Sequence, residues 1–325
     1  MKEMEEIHEE EEPPGKTPFF RAFNLEKALR LKRIFVKFEG ASITGTQKDR
    51  ISRLHVSRAK ELGYNAVAVA SCGNYGASIS YFAREAGIGS VVAVPESYTG
   101  HRVPEMERMG SQVLRMPGKY EDLVERMKEL SAQEGWYDSN PGSVNSWLDF
   151  AGYANIAYEI VQQLGHAPYC IAVPVGNGTT LAGIHHGFVQ LYKRGEIERI
   201  PRFIGSSTPG GNPIVDSWSR GFRTVQDLDP STIRETGINE PLVSYHSYDG
   251  QKALDAIYST RGAAVYVSDL DMIRFSKYME RFEGIPVLPA SASSLAAIYN
   301  LFGSSRRERD LVVVITGRGG RWTVQ

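Results

Sequence analysis

The chain has few cysteines, no long apolar run and almost no net charge, and each absence excludes a class of protein. Its two cysteines, Cys72 and Cys170, form neither a disulfide framework nor a Cys-x-x-Cys metal clip, which is typical of a reducing cytoplasm. It has no run of about 18 apolar residues to span a bilayer, and its N-terminus is acidic where a secretory leader is basic. The formal charge of -1 gives no electrostatic attraction to nucleic acid or an anionic membrane. The sequence therefore predicts a cytoplasmic protein that binds neither nucleic acid nor a membrane.

The composition is that of a globular chain with a sizeable core, preceded by an acidic tail. Hydrophobic residues make up 42% of the 325 residues and charged residues 23%. Residues 1–15 carry a block of glutamates with little apolar surface to bury, so we expect this tail to be disordered. No internal repeat or long low-complexity linker divides the rest. If the chain has two domains, we expect them to be interleaved.

Short apolar or β-branched runs alternate with amphipathic stretches along most of the chain. The runs are Arg33 to Lys37, Ala66 to Ala70, Ser90 to Pro95, Gln112 to Met116, Tyr169 to Val175, Pro201 to Ser206 and Leu311 to Ile315. The stretch after Lys48 places Ile51, Leu54, Ala59 and Leu62 on one helical face, with Gly63 where a helix commonly ends. This alternation predicts an α/β fold with parallel strands.

Lys48 stands at the predicted start of that helix and is the main candidate for covalent chemistry. A neutral lysine amine forms a Schiff base with an aldehyde cofactor, which requires a site that lowers the pKa of the amine. The positive end of a helix dipole favours the neutral amine and also attracts a phosphate. A lone lysine at a helix end more commonly extends into solvent, so the assignment depends on other motifs.

The turn Gly176-Asn177-Gly178-Thr179-Thr180 joins an apolar strand to a helical stretch. Its small residues let backbone amides converge on a phosphate, and Thr179 and Thr180 add hydroxyl donors. A dinucleotide fold is disfavoured because position 181 is Leu instead of Gly and the next strand ends without an acidic residue. A P-loop is excluded because no Gly-Lys-Ser/Thr follows. The remaining alternative is a strand-to-helix turn that binds no ligand.

A second turn, Ser71-Cys72-Gly73-Asn74-Tyr75-Gly76, also lies between a strand and a helical stretch. Its backbone amides are suited to a carboxylate, which makes Ser71, Cys72, Gly73 and Tyr75 candidate substrate-binding residues. Asn74 has the only side-chain amide in the turn and is a candidate partner for a ring hydroxyl. Asparagine is also common in turns for backbone reasons, and Cys72 fits simple packing equally well.

Thr316 ends the apolar run Leu311 to Ile315 and begins a glycine-rich loop. Its hydroxyl is a candidate partner for a pyridine nitrogen. A neutral partner does not keep that nitrogen protonated, which favours elimination or replacement over fully delocalised carbanion chemistry. Although a threonine in such a loop means little alone, the three loops and Lys48 together indicate a pyridoxal phosphate site.

The order of these segments resembles the fold-type II pyridoxal phosphate enzymes, the tryptophan synthase β-like superfamily, and most of all its threonine synthases. The similarity extends from Thr17-Pro18 to Gly317 and includes Glu39-Gly40, Val267-Ser268-Asp269 and Pro289-Ala290-Ser291-Ala292. The resemblance implies pyridoxal 5'-phosphate as cofactor, with Lys48 as Schiff-base lysine and general base. It also implies Asn74 at the ring hydroxyl, residues 176–180 at the phosphate and Thr316 at the ring nitrogen.

The same resemblance implies a homodimer whose subunit has two interleaved three-layer α/β/α domains with the cofactor in the cleft. Residues 16–50 and 145–325 would form the large cofactor-binding domain, and residues 51–144 the small inserted one.

The chain departs from threonine synthases where they hold the substrate. That family has a motif similar to Asn-Pro-x-Arg-x-x-Gly-Gln-Lys-Thr, whose arginine and lysine help to hold a substrate phosphate. Counting back from Tyr158-Glu159 aligns Gly152 with the motif's glycine and puts Asp149 and Ala154 at the arginine and lysine positions. Exchanging two cations for one carboxylate opposes a dianionic phosphohomoserine.

The sequence predicts a pyridoxal-phosphate-dependent lyase or synthase with a small amino-acid substrate, a carbon-oxygen lyase of the threonine synthase type. Freed Lys48 would remove the α-proton before a β or γ leaving group departs. The alternatives are a serine or threonine dehydratase, a cysteine-synthase-like β-replacement enzyme, and a cofactor-binding paralogue without turnover. No metal site is predicted, since His185 and His186 point about 100° apart on a helix.

Overall fold

The computed structural model describes residues 16–71, 73–98, 102–303, 305 and 307–320. The predicted acidic tail at 1–15 and the candidate residue Cys72 lie outside these ranges. The described chain forms two sheets, one of six strands and one of four, with helices packed against them. The predicted α/β fold is therefore confirmed.

The ten strands of the described chain are β1 (Phe19–Arg21), β2 (Ile34–Phe38), β3 (Ala66–Ala70), β4 (Gly89–Pro95), β5 (Gln112–Met116), β6 (Tyr137–Asp138), β7 (Cys170–Pro174), β8 (Arg202–Ser207), β9 (Ala263–Tyr266) and β10 (Leu311–Ile315). The larger sheet has the order β1-β2-β10-β7-β8-β9, and the smaller has the order β5-β4-β3-β6. All pairings are parallel except that of β1 with β2. The strands of the smaller sheet lie within residues 66–138, and the domain boundaries at 51 and 144 stay a prediction.

The helices of the described chain are α1 (Phe23–Leu29), α2 (Asp49–Glu61), α3 (Asn74–Ala86), α4 (Val103–Arg108), α5 (Tyr120–Glu134), α6 (Trp147–Leu164), α7 (Thr179–Lys193), α8 (Pro213–Ser219), α9 (Gly250–Ser259), α10 (Asp269–Glu283) and α11 (Ser293–Phe302). Lys48 is the residue that precedes α2, and Gly63 follows its end with φ +79°, a conformation that favours glycine. No helix in these described ranges is both long and apolar enough to cross a membrane.

A contiguous apolar core joins the two sheets. It contains Val67 and Val92 of the smaller sheet together with Ile171 and Val173 of the larger one. Helices α6 and α7 pack closely within it, because an ideal Cβ built on Gly187 would lie only 2.5 Å from the Ala154 carbonyl oxygen. The neighbouring strands β2, β10, β7 and β8 are parallel, so their carboxyl ends share one edge. Ligands of open α/β sheets bind at such an edge, which is where the candidate residues lie.

Candidate active site

The loop that carries Lys48 is held against the loop that follows β10. The Gln47 amide donates to the Thr316 carbonyl at 3.0 Å, and Thr46 pairs with Gly317 in an isolated β-bridge. The first turn of α2, directly after the loop, packs against α6, where an ideal Cβ on Gly152 would lie 3.0 Å from the Arg50 carbonyl oxygen. Lys48 and Thr316, which are far apart in the sequence, therefore lie on neighbouring loops.

The Lys48 amine lies between two aromatic rings. Its Nζ is 5.2 Å from the centre of the Tyr75 ring and 6.0 Å from that of Tyr153. Burial lowers the pKa of Lys48 below its ordinary value, while the charges of Asp149 and Asp249 act in the opposite direction. The effect of burial is the larger one, so a greater fraction of the amine is neutral at a given pH than in an exposed lysine.

The turn after β7 presents a row of unused backbone donors. The amides of residues 176–181 donate no hydrogen bond to any part of the chain that the structure describes. Gly178 has φ +85°, and an ideal Cβ on it would lie 2.9 Å from side-chain atoms of Ala253 and Ile214. Only glycine combines this conformation with this space. Because unpaired amides at a helix N-terminus attract anions, this turn is suited to a phosphate.

Asp249 and Tyr120 support the same turn from outside it. Thr179 donates through its hydroxyl to Asp249 Oδ2 at 2.8 Å, and the Asp249 amide donates to the Asn177 carbonyl at 3.1 Å. Asn177 Nδ2 donates to the Tyr120 hydroxyl at 3.3 Å, which links the turn to α5 beside the smaller sheet. Asp249 also acts on Lys48, so the amine and the predicted phosphate turn share a neighbour.

The turn after β3 contains a second set of unused donors. Ser71 Oγ accepts a hydrogen bond from the Gly76 amide at 2.9 Å, which closes the turn between Ser71 and Gly76. The amides of Asn74 and Tyr75 make no hydrogen bond within the described ranges, so they are free to bind an anion. Tyr75 is buried and donates through its hydroxyl to the Ser139 carbonyl at 3.0 Å. Its ring thus forms a wall beside Lys48.

Two side chains predicted to contact a cofactor ring are held by neighbours. Arg102 donates to Asn74 Oδ1, which leaves the Asn74 amide NH₂ to face an acceptor. The Thr316 hydroxyl lies 2.9 Å from that of Ser291, so a neutral hydroxyl pair stands where a ring nitrogen is expected.

Asp149 lies in the first turn of α6 and pairs with a buried histidine. His55 Nε2 is 2.9 Å from Asp149 Oδ1, and both side chains are almost fully buried. His55 Nδ1 has no hydrogen-bond partner among the described residues. The pair adjoins the aromatic wall of the cleft, since the His55 ring centre is 6.4 Å from that of Tyr75.

Several residues of this cleft were not predicted from the sequence. Asp249 and Arg102 have no local motif, because each reaches the site from a distant part of the chain. His55 lies on α2, the helix that follows Lys48, but no motif marked it. Ser291 belongs to the segment Pro289-Ala290-Ser291-Ala292, so its position beside Thr316 had a sequence signal. No group of three His, Cys, Asp or Glu suited to a metal occurs within the described ranges.

The arrangement fits a pyridoxal phosphate. The unused amides of 176–181 are suited to a phosphate, and side chains at Gly176 and Gly178 would obstruct them, since an ideal Cβ on Gly176 would lie 2.9 Å from the Pro241 carbonyl oxygen. Asn74 and Thr316 have polar groups of the kind a pyridine ring requires, and Lys48 has an amine of lowered pKa.

The chain is similar in sequence to curated proteins and similar in fold to solved structures. The chain is 35% identical over 309 residues to threonine synthase of Methanocaldococcus jannaschii, covering 94% of this chain and 75% of that protein. It is 32% identical to threonine synthase of Methanosarcina acetivorans, covering 93% and 74%. In fold it is similar to threonine deaminase isoform 2 from Solanum lycopersicum, with a TM-score of 0.77 and 18% identity. The match covers 95% of this chain and 80% of that one. Maize serine racemase is also similar in fold, with a TM-score of 0.77 and 18% identity over 94% of this chain and 90% of that one.

These neighbours confirm the fold-type II architecture that the sequence resemblance implied. The family described as "Pyridoxal-phosphate dependent enzyme" matches residues 11–317, nearly the whole chain. The chain therefore belongs to this family, whose cofactor is pyridoxal 5'-phosphate.

Proposed function

We propose that the protein eliminates or replaces a β or γ substituent of a small amino acid, as a carbon-oxygen lyase of the threonine synthase-like kind. The observation that carries this proposal is the position of Lys48. Its amine has a pKa lowered by burial and shares Asp249 with a turn whose amides are unpaired within the described chain. A neutral amine beside an anion cradle is what a pyridoxal phosphate lyase requires.

Four parts of the chain would hold the cofactor. Lys48 would bind its aldehyde carbon, residues 176–180 its phosphate, Asn74 its ring hydroxyl and Thr316 its ring nitrogen. When bound, pyridoxal phosphate condenses with amines through its aldehyde and withdraws electrons from the α-carbon of an attached amino acid. The neutral Thr316–Ser291 pair does not keep the ring nitrogen protonated, which favours elimination or replacement over chemistry that needs a fully delocalised carbanion.

The chain's own groups would bind the substrate and move the proton. The amides of Asn74 and Tyr75, with the Ser71 hydroxyl beside them, would hold the substrate carboxylate and thereby orient its α-carbon. Lys48 Nζ, released by the substrate amine, would accept the α-proton. Burial suits it to this step because a lowered pKa keeps a larger fraction of the amine unprotonated near neutral pH.

A serine or threonine dehydratase, or a cysteine-synthase-like enzyme, is the second candidate. Asp149 favours it, because Asp149 puts a carboxylate instead of a cation beside the reacting amine. Neither of these reactions needs a second phosphate site.

A homodimer and a cytoplasmic location remain part of the proposal.

The first test asks whether Lys48 holds the cofactor. The protein is purified, supplied with pyridoxal phosphate, reduced with borohydride and digested, and mass spectrometry locates the pyridoxyl group. We expect it on Lys48, and we expect Lys48→Ala to lose both this label and the visible absorption band. Lys60→Ala removes an exposed lysine of the same helix and should retain both.

The second test adds serine, threonine, homoserine, O-acetylserine, O-phosphoserine and O-phosphohomoserine in turn. A keto acid or replacement product from one of them supports the proposal. If the protein binds the cofactor, but no candidate substrate alters the visible spectrum or is converted to a product, the protein is a binding paralogue and the proposed catalysis is wrong.

A further inference from the structure

Asp149 places a negative charge at the reacting end of the cleft. Only about 3% of the residue is exposed. Its charge acts on Lys48 and on Tyr75 and Tyr153, whose ring centres lie 5.2 Å and 6.0 Å from the Lys48 amine. One carboxylate oxygen, Oδ1, is paired with His55 Nε2. The other, Oδ2, accepts no hydrogen bond from the residues that the structure describes. Oδ2 is not among the fully buried unpaired side-chain atoms of the described residues, so it keeps a small exposed area that a substrate group can reach.

The histidine orients Asp149. An ionised carboxylate only accepts hydrogen bonds, so His55 Nε2 must carry the hydrogen of this pair. A second proton on His55 Nδ1 would be buried without an acceptor among the described residues. The hydrogen bond at Oδ1 therefore fixes the orientation of the Asp149 carboxylate.

The remaining charge near Lys48 has the same sign. Asp249 acts on Lys48 as well, and its nearest cation is Lys252, whose Nζ lies 3.1 Å from Asp249 Oδ1. Lys252 is thus already paired, and its side chain is 60% exposed. The two sets of unused amides, at 74–75 and 176–181, match one substrate carboxylate and one cofactor phosphate. A phosphate on the substrate side chain would be a third anion, and the charges that act on Lys48 there, those of Asp149 and Asp249, are also negative.

We infer that the cleft selects amino acids whose β or γ substituent is uncharged and rejects phosphorylated ones, and that Asp149, oriented by His55, sets this selectivity. The inference rests on the proposed function and specifies its substrate class. A hydroxyl substituent can donate a hydrogen bond to the unused Asp149 oxygen. A phosphate dianion instead adds two negative charges beside a buried third, a repulsion that water screens weakly in such a site.

The experiment measures binding and turnover separately on the cofactor-loaded protein. Apparent dissociation constants are taken from the change in visible absorption for the matched pairs serine with O-phosphoserine and homoserine with O-phosphohomoserine. We expect the unphosphorylated member of each pair to bind at least about tenfold more tightly. Product formation from the same compounds gives the ratio of kcat/KM, which should favour the same members.

Asp149→Asn tests the residue itself. The asparagine can still accept from His55, so the pair is retained while the charge is removed. We expect the preference for unphosphorylated substrates to fall by about tenfold or more. Asp255→Asn removes an exposed carboxylate on α9 and should leave the preference unchanged.

The outcomes separate the two proposals. A wild-type protein that binds O-phosphohomoserine more tightly than homoserine refutes the selectivity inference and leaves the proposed lyase chemistry standing. An unchanged preference in a folded Asp149→Asn variant refutes the role of Asp149. If Asp149→Asn does not fold, the wild-type ratios still decide the substrate class. Failure of Lys48 to take up pyridoxal phosphate would instead refute the proposed function and this inference with it.

Discussion

Arg102 donates two hydrogen bonds to the same oxygen of Asn74, from Nε at 3.2 Å and from Nη2 at 3.0 Å. The guanidinium is fixed in turn by Glu105, 2.8 Å from its Nη1, and by the Thr44 carbonyl at 3.0 Å. This planar fork determines which way the Asn74 amide faces. The orientation of Asn74 is therefore set by Arg102, which directly precedes α4 and lies outside the turn of Asn74.

Replacing Arg102 with Lys should weaken cofactor binding. Lysine keeps the positive charge but cannot supply the paired donors, so the Asn74 amide is freer to rotate. We expect the dissociation constant for pyridoxal phosphate to rise by about tenfold, equivalent to about 1.4 kcal/mol. Fluorescence titration of the apoprotein measures this change. Arg108→Lys, at the exposed last residue of α4, should bind the cofactor as the wild type does.

Lys48 should destabilise the apoprotein in a pH-dependent way. Burial lowers the pKa of Lys48 in the folded state, so folding disfavours its charged form. The cost is full below the folded-state pKa, falls as the pH rises from that value towards the unfolded value of about 10.4, and vanishes above it. Urea denaturation should therefore find Lys48→Met more stable than wild-type apoprotein at pH 7. The difference should shrink towards pH 10, and a difference that does not change with pH would contradict the assignment.

A buried ionic network next to the active-site loop should be essential for stability. Arg50 Nε lies 2.6 Å from Glu39 Oε2, and Arg50 Nη1 lies 2.7 Å from Glu159 Oε1. Lys37 Nζ lies 2.5 Å from Glu159 Oε2. Glu159→Gln should lower the free energy of unfolding by about 3–5 kcal/mol, because it leaves a buried cation without its counter-charge. Glu61→Gln breaks an exposed pair with Arg58 and should cost less than about 1 kcal/mol in the same denaturation experiment.

Gly178→Ala should damage both the fold and the phosphate turn. The new methyl group would meet Ala253 and Ile214 at 2.9 Å in a backbone conformation that alanine disfavours. Strain and overpacking together should cost about 2–4 kcal/mol. Thermal denaturation should show this loss, and cofactor titration should show weaker binding. Gly237→Ala, where an added Cβ meets nothing within 4 Å, is the matched control.

The sequence predicted every strand in the interior of the sheets and the edge strand β5, but it missed the three shorter edge strands. Leu311–Ile315 is buried along its whole length and forms a continuous apolar run, which is what a central parallel strand requires. The missed strands are β1, β6 and β9, each of two to four residues and each at the edge of its sheet. Such short segments bury too few side chains to produce a recognisable pattern.

Site residues, like strands, could be predicted only where a local sequence pattern marks them. Gly178 and Asn74 were found because strand-to-helix turns have a local signature. Asp249 was not, because its contact with Thr179 joins residues 70 positions apart and no local pattern records it. The assigned roles of Lys48, Asn74 and Thr316 stay predictions until the experiments above are done.

The position of β10 between β2 and β7 has a consequence for biogenesis. It is the last strand of the described chain, yet it fills the middle of the larger sheet, and the loop after it is bonded to Gln47. While the ribosome is still making this segment, the earlier strands have a gap at their centre and the lysine loop lacks its support. We therefore expect nascent chains shorter than about 315 residues to capture no vitamin B6 and to depend on chaperones until the gap is filled.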